Sequence, residues 1–335
     1  MPFIAPAGSV LRPDLSGVIT PFDMAPEGFI GLRLLPTLPV GNLDGQVPKW
    51  VAKNWFRAVS TKRAAAQGTA ESILRGDVVT YRLSDYAHKV GVTVEDERMY
   101  GSAFAMEASV ARLNHRKILL DVERDIAATL FNETNYPASG VTGTTVSQPW
   151  NSANGLPISD VQALIEKRRK ATGIRPNALI LTEASRLALN TNPQMMARFP
   201  GAAMVGGRFG DDQLRAAFGV EYVLTASALQ DTTADGEALS LTDVWSSTYA
   251  GVCRLPTAGE PDVGAPCLGR TLMQVDAMPT GGEPLGTEEM SELSTAVDEY
   301  WDADRKVRYI RCSKFMLPFL LNSGAFGLLK SVYVP

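Results

Sequence analysis

Hydrophobic positions recur at the helical period in some stretches of this chain and alternate strictly in others. The longest helical pattern covers residues 102–132, which no proline interrupts before Pro137. Its apolar side chains form two stripes. Met106, Val110, Leu113, Leu120, Ala127 and Phe131 make one, and Leu119, Val122, Ile126 and Leu130, confined to the second half, make the other. At about 100° per residue the stripes point to opposite sides, which predicts one buried face in the first half and two in the second. Ser102, following Gly101, suits the N-cap. A helix of about 30 residues would be near 45 Å long at about 1.5 Å per residue, longer than a compact domain needs, so it reads as a spine.

Alternation replaces this period after Gly76. Val79, Tyr81 and Leu83 share one face of a strand over residues 77–83. Ahead of it, Phe56, Ala58 and Val59 lead into a small, polar stretch over 60–71 that contains Gly68. Residues 55–86 therefore read as a long hairpin with a flexible tip, and such a hairpin needs a surface to lie on. Beyond a Gly/Ser/Thr/Pro-rich linker at 135–155, a helix over 158–172 turns Val161, Leu164 and Ile165 inward and stops at Gly173. A buried strand over 178–181 follows, then a helix capped by Thr182 and running through Leu189, and a new turn at Asn192-Pro193. Residues 211–218 read as a helix and 220–224 as a strand. The pattern predicts β-structure at 243–254 around Trp245 and Tyr249, and again through 297–334 with Tyr300, Trp301, Tyr309 and Phe315.

The first fifty residues follow neither period. They hold eight of the chain's 21 prolines, from Pro2 to Pro48, which excludes a regular helix or a central strand. They also hold Phe3, Ile4, Phe22, Phe29, Ile30, Leu32, Leu34 and Leu35, too much apolar surface for a disordered tail. An extended arm seated on another subunit or domain accounts for both facts. An arm lying across its own core accounts for them about as well.

Composition narrows the function. With 335 residues, 45% hydrophobic and 20% charged, the chain is of ordinary globular type. Its 32 basic and 36 acidic residues give a net charge of -4, without the basic excess of a dedicated nucleic-acid binder. Cys253, Cys267 and Cys312 read as reduced cysteines, and with only His88 and His115 beside them there is no ligand set for structural zinc. The first ten residues lack the pattern of a signal peptide, and no stretch approaches about 18 consecutive apolar residues, so a soluble protein is expected.

Candidate chemistry is thin. Gly206-Gly207-Arg208-Phe209-Gly210 has neither a GxGxxG frame nor a Walker lysine and reads as a mobile loop. Asn322-Ser323-Gly324 is not a nucleophile elbow. The Lys167-Arg168-Arg169-Lys170 run reads as a solvated last helical turn, and Asp96-Glu97-Arg98 as a solvated turn. His88 and His115 each lack a nucleophile or acid at a recognised spacing, and His115, between Asn114 and Arg116, reads as a partly exposed polar position. No catalytic, cofactor-binding or metal-binding residue is assigned, and no cofactor is expected.

The order of parts carries a resemblance. Arg175-Pro176-Asn177-Ala178-Leu179-Ile180-Leu181-Thr182, continuing through Glu183 to Pro193, follows a helix in the way a similar passage does in tailed-bacteriophage major capsid proteins of the Hong Kong 97 fold. The lambda-like capsid protein E branch is the nearest in pattern. Residues 60–81, with Ala64-Ala65-Ala66-Gln67-Gly68 and a strand ending in Tyr81, resemble that family's extended loop. Tyr300-Trp301 through Ile310-Arg311 resembles the closing strands of its peripheral domain.

The resemblance implies an α+β Hong Kong 97-type capsid fold with an N-terminal arm (1–50), an extended β-hairpin loop (51–90), a peripheral domain with the spine helix 102–132 (91–155), an apical domain (156–290) and a return to the peripheral domain (291–335). It implies a structural shell protein forming hexamers and pentamers of an icosahedral phage head around double-stranded DNA, which it touches weakly and without sequence preference. The location implied is the virion, after assembly in the host cytoplasm. Separate scaffolding, portal and decoration proteins are implied partners; no membrane partner is, and no long charged helical segment precedes the arm. The family's Lys–Asn cross-link does not transfer, because no motif selects a lysine. Expected subunit contacts are Phe3, Phe22, Phe29, Leu34, Phe56, Gly68, Arg75, Tyr81, Val122, Ile126 and Leu130. The alternatives are an encapsulin-like nanocompartment shell and, from another class, a cytoplasmic hydrolase using His88 or His115.

Overall fold

The structure is a computed structural model, and it describes residues 10–12, 15, 28–49, 56–59, 61–62, 69, 77–100, 106–137, 140, 142–200, 208–234, 236–256, 267–275 and 295–334. Along the chain, β1 (Val10–Leu11), helix α1 (Gly31–Leu34), β2 (Thr37–Val40), β3 (Asp44–Lys49), β4 (Asp77–Arg82) and β5 (Ser84–Thr93) precede α2 (Val94–Tyr100) and the long α3 (Met106–Leu130). The middle of the chain holds β6 (Gly143–Thr145), α4 (Pro157–Thr172), β7 (Ala178–Thr182), α5 (Glu183–Thr191), α6 (Pro193–Arg198) and α7 (Asp211–Phe218). Then come β8 (Tyr222–Ala226), β9 (Leu229–Asp231), β10 (Leu241–Asp243), β11 (Tyr249–Cys253), β12 (Gly269–Gln274), β13 (Ala296–Asp302), β14 (Val307–Leu320) and β15 (Phe326–Lys330).

Two sheets carry the molecule. A mixed five-stranded sheet has the order β6-β15-β11-β7-β8. Its interior strand β7, between β11 and β8, is buried at every position, and its alternation splits between two cores. Leu179 and Leu181 face α4–α7, whereas Ala178 and Ile180 face the spine helix α3. A six-stranded sheet is organised around the 14-residue β14. β13 and then β12 occupy one edge of β14, and β5 runs antiparallel along the other. The second half of α3 lies between the sheets, where Val122, Ile126 and Leu130 meet Met273 and Met316 of one and Leu224 and Leu328 of the other.

Local chemistry explains the elements the sequence made legible. Gly173 ends α4 in the left-handed conformation, with φ 73°. Thr182 and Ser185 exchange hydrogen bonds in a capping box that starts α5, and Asn192 caps α6 through the amides of Gln194 and Met195. Asn177, buried at the foot of β7, accepts from the Leu255 amide at 2.8 Å, and its carbonyl accepts from Glu221 and Tyr222. It thereby staples three segments at the start of the sheet.

Several expectations require correction. The proline-rich segment does hold a short helix, α1, over residues 31–34 where no proline stands, while its strands β2 and β3 keep to a sheet edge and a two-stranded ribbon, where a missing N–H is tolerated. The partner of β4 is β3, inside the expected arm, so that hairpin begins earlier than 51. β15 belongs to the five-stranded sheet although it lies in the expected peripheral return, and β12 belongs to the six-stranded sheet although it lies in the expected apical span. The spine helix is described from Met106; residues 101–105, with the expected cap Ser102, lie outside the described residues. Asp96-Glu97-Arg98 is helical, because Thr93 Oγ1 accepts from the Asp96 amide and starts α2.

Candidate assembly surfaces

The ribbon β3–β4 pairs two of the chain's own strands and is exposed along one face. Its register pairs Val47 with Val79 and Gly45 with Tyr81 on one face, and Gln46 with Thr80 and Pro48 with Val78 on the other. The first face covers a small cluster in which Val47, Leu83, Leu272 and Leu321 are buried and Tyr81 and Phe315 partly so. The second face is exposed along its whole length, and Val78 is 55% exposed. Opposite charges stand across from each other at both ends, Asp44 from Arg82 and Lys49 from Asp77, an arrangement that favours this register without adding apolar cover. Among the described residues each strand of the ribbon has one unpaired edge. Such an edge is a template for pairing with another chain.

A second ribbon, β9–β10, went unrecognised in the sequence because polar residues dominate it. Leu229 and Leu241 are exposed on the same face, and Leu239 just before β10 is 70% exposed. The ribbon overhangs a groove of about 560 Å³ whose other walls are Tyr86, Ala87 and His88 of β5 and Lys117, Asp121 and Arg124 of α3. The groove's charges are of both signs, and Arg124 pairs with Asp121 at 3.5 Å. Tyr86 donates to Asp125 at 2.7 Å, and burial together with that carboxylate pushes the phenol well above its usual range.

The expected contact residues divide into three groups. Leu34, Val122, Ile126 and Leu130 are almost wholly buried in the chain's own core, and Phe29 packs with Leu119 and Ala228. These five are corrected from contact residues to core residues, since they have no surface to offer a second copy. The two-sided cover expected of the spine's second half is present, and the same chain supplies it. Phe56 is 61% exposed, with its ring against Gly173, and Tyr81 is partly buried on the ribbon. Phe3, Phe22, Gly68 and Arg75 lie outside the described residues.

Polar residues inside the molecule were the least legible. The first half of α3 buries Ala111, Asn114, His115 and Ile118 and leaves Leu113 exposed, the reverse of the expected stripe. His115 is fully buried, not a partly exposed residue, and so has no access to a substrate. Neighbouring Asn114 shares a 2.7 Å hydrogen bond with His88 Nδ1 and donates to the Ile310 carbonyl at 2.9 Å. The seam is thus built to seat a helix on β5 and β14. Glu123, only 3% exposed, accepts from the Ile30 and Gly31 amides and from Trp245 Nε1 at 3.0, 2.7 and 2.6 Å. Burial holds its carboxyl above the usual glutamate value although three donors pull it down. Gly31 is required here, because a Cβ would stand 2.5 Å from Glu123 Oε2. The basic run of α4 also splits. Arg168 is buried against the Gly324 carbonyl, and Lys167 donates to the Gly140 and Gly143 carbonyls, so only Arg169 and Lys170 form a solvated turn.

Among the described residues no group of three or more His, Cys, Asp or Glu could hold a metal, and no helix is long and apolar enough to cross a membrane. No protein-family model matches the chain. The chain is 22% identical over 306 residues, 91% of its own length and 91% of the other, to a protein called the major capsid protein of Burkholderia phage BcepMu. Its fold matches that of a phage-related protein from Bordetella bronchiseptica with a TM-score of 0.67 at 21% identity, over 97% of this chain and 99% of that one. It also matches the capsid structure of cyanophage P-SCSP1u with a TM-score of 0.51 at 10% identity, covering 89% and 86% of the two chains.

Proposed function

The chain is a relative of a phage major capsid protein and has the Hong Kong 97-type capsid fold, and from that premise we propose that many copies of it tile a closed icosahedral phage shell of hexamers and pentamers. Its role is structural, its location the virion, and its cargo double-stranded DNA that it touches weakly and without sequence preference.

The observation that carries this reading within the molecule is the β3–β4 ribbon. One face of it is used on the chain's own cluster, while the other face is exposed and, among the described residues, each strand keeps an unpaired edge. Heterologous contacts that close into rings, and rings into a shell, cover such groups without a twofold-symmetric patch. Each contact can be weak, because every subunit makes many and the assembled state gains by mass action. The contact residues proposed for this shell are Val78, Tyr81 and Phe56, with Phe3, Phe22, Gly68 and Arg75 from the arm and the rest of the loop. Scaffolding, portal and decoration proteins are proposed as separate partners.

Light scattering coupled to size exclusion tests the reading on the full chain, alone and with its scaffolding partner. A discrete particle far larger than a hexamer is expected, and it should dissociate on dilution. Monomers or dimers at every concentration, with and without the partner, would overturn it.

A further inference from the structure

Among the described contacts, the first described segment is held by a short strand pairing, one apolar side chain and a charge cluster. β1 pairs only two residues with β13, Val10 with Glu299 and Leu11 with Asp298. The Arg12 amide adds one bond to the Val297 carbonyl at 2.9 Å, and Leu15 supplies the one described apolar plug, beside Ala111, Ile118 and Ile310. The Arg12 guanidinium then forks between two carboxylates, at 2.6 Å to Glu299 and 2.9 Å to Glu107.

Glu107 lies in the first turn of the spine helix α3, and its two oxygens are divided. Oε2 takes Arg12, and Oε1 takes Arg308 of β14 at 2.7 Å. Arg308 reaches on to Glu97 of α2 at 2.9 Å. Three carboxylates and two guanidiniums thus form one partly exposed network that joins the strap, β13, β14, α2 and the start of α3. Removing Arg12 leaves three negative groups around a single cation, which weakens the hold on the helix's first turn as well as on the strap. We propose that Glu107 is a positioning residue that couples the docked N-terminal strap to the first turn of the spine helix, forming an ionic latch that salt opens. Exposed and half-exposed pairs are screened when the Debye length falls from about 10 Å towards 3 Å, so ionic strength is the natural trigger.

Hydrogen exchange followed by mass spectrometry tests this on the full chain below the onset of assembly, so a failure here leaves the shell reading untouched. Residues 10–15 and 106–110 should gain exchange together, by about tenfold, in Arg12→Gln and on raising salt from about 0.1 to about 1 M. Arg12→Lys should keep most of the protection, and Arg12→Gln/Glu107→Gln should expose the strap no further than Arg12→Gln alone, because Glu107 acts on the strap only through Arg12. Amides of α4 serve as the internal reference for intact folding. The proposal is overturned if Arg12→Gln frees the strap while residues 106–110 stay protected. It is equally overturned if salt changes neither segment, or if Arg12→Lys behaves like Arg12→Gln.

Discussion

The five-stranded sheet and the β3–β4 ribbon use strands of similar length and stand in opposite relation to solvent. Every residue of β7 is buried, with Leu179 and Leu181 turned to one core and Ala178 and Ile180 to the other. In the ribbon only Val47 is buried, and one complete face is open. The sheet satisfies itself within the chain. The ribbon has its backbone pairing but not its cover, so its remaining stabilisation has to come from elsewhere. Substitutions in the sheet should therefore be felt by the monomer, and those in the ribbon by the assembly.

The largest effect on the monomer is expected in the sheet. Leu181→Ala should cost about 3 kcal/mol or more in denaturant unfolding, through lost burial and the cavity left behind. A loss below about 1 kcal/mol would mean that the sheet is not the self-sufficient part. Glu123→Gln comes next, at about 2 kcal/mol, because it withdraws one acceptor from donors buried with it. This effect depends on pH with a definite sign. Since burial raises the folded-state value above 4.5, the native chain keeps a proton that the unfolded chain has already released. That contribution is fully present below about pH 4.5 and is lost as pH rises through the folded-state value. The stability difference between wild type and Glu123→Gln should shift against the wild type across that window, and a constant difference would contradict the assignment. Thr182→Ala, which removes the capping box of α5, should cost about 1 kcal/mol.

At the other end of the comparison, Val78→Asp should change unfolding of the monomer by less than about 0.5 kcal/mol. Light scattering of the same variant should nevertheless lose the large particle. If Val78→Asp assembles normally, the open face of the ribbon is not a contact surface, and the contrast between the two regions loses its meaning.

What the sequence made legible follows the same division. α4, β7 with the capped α5, and α7 could be read within a residue or two, because local signals and apolar periodicity agree there. β3 was hidden among prolines that only an edge tolerates, and β9–β10 was hidden by its polar composition. The burial of Asn114, His115, Glu123 and Arg168 was out of reach for a different reason. A polar residue in a periodic pattern reads as exposed unless its partner is known, and these partners lie far away along the chain, as Ile310 does from Asn114. The two-sided cover of the spine's second half was legible, but not what supplies it. Periodicity reports that a face is covered, and it cannot tell the same chain from the next one. Val122, Ile126 and Leu130 read as subunit contacts in the sequence for that reason, and the chain's own core covers them.

Electron microscopy of the purified full-length protein, expressed alone and with its scaffolding partner, tests the central claim most directly. Closed icosahedral particles are predicted, with the β3–β4 ribbon of each subunit resting on a neighbour. Persistent monomers or small symmetric oligomers under both conditions, at high concentration, would contradict it.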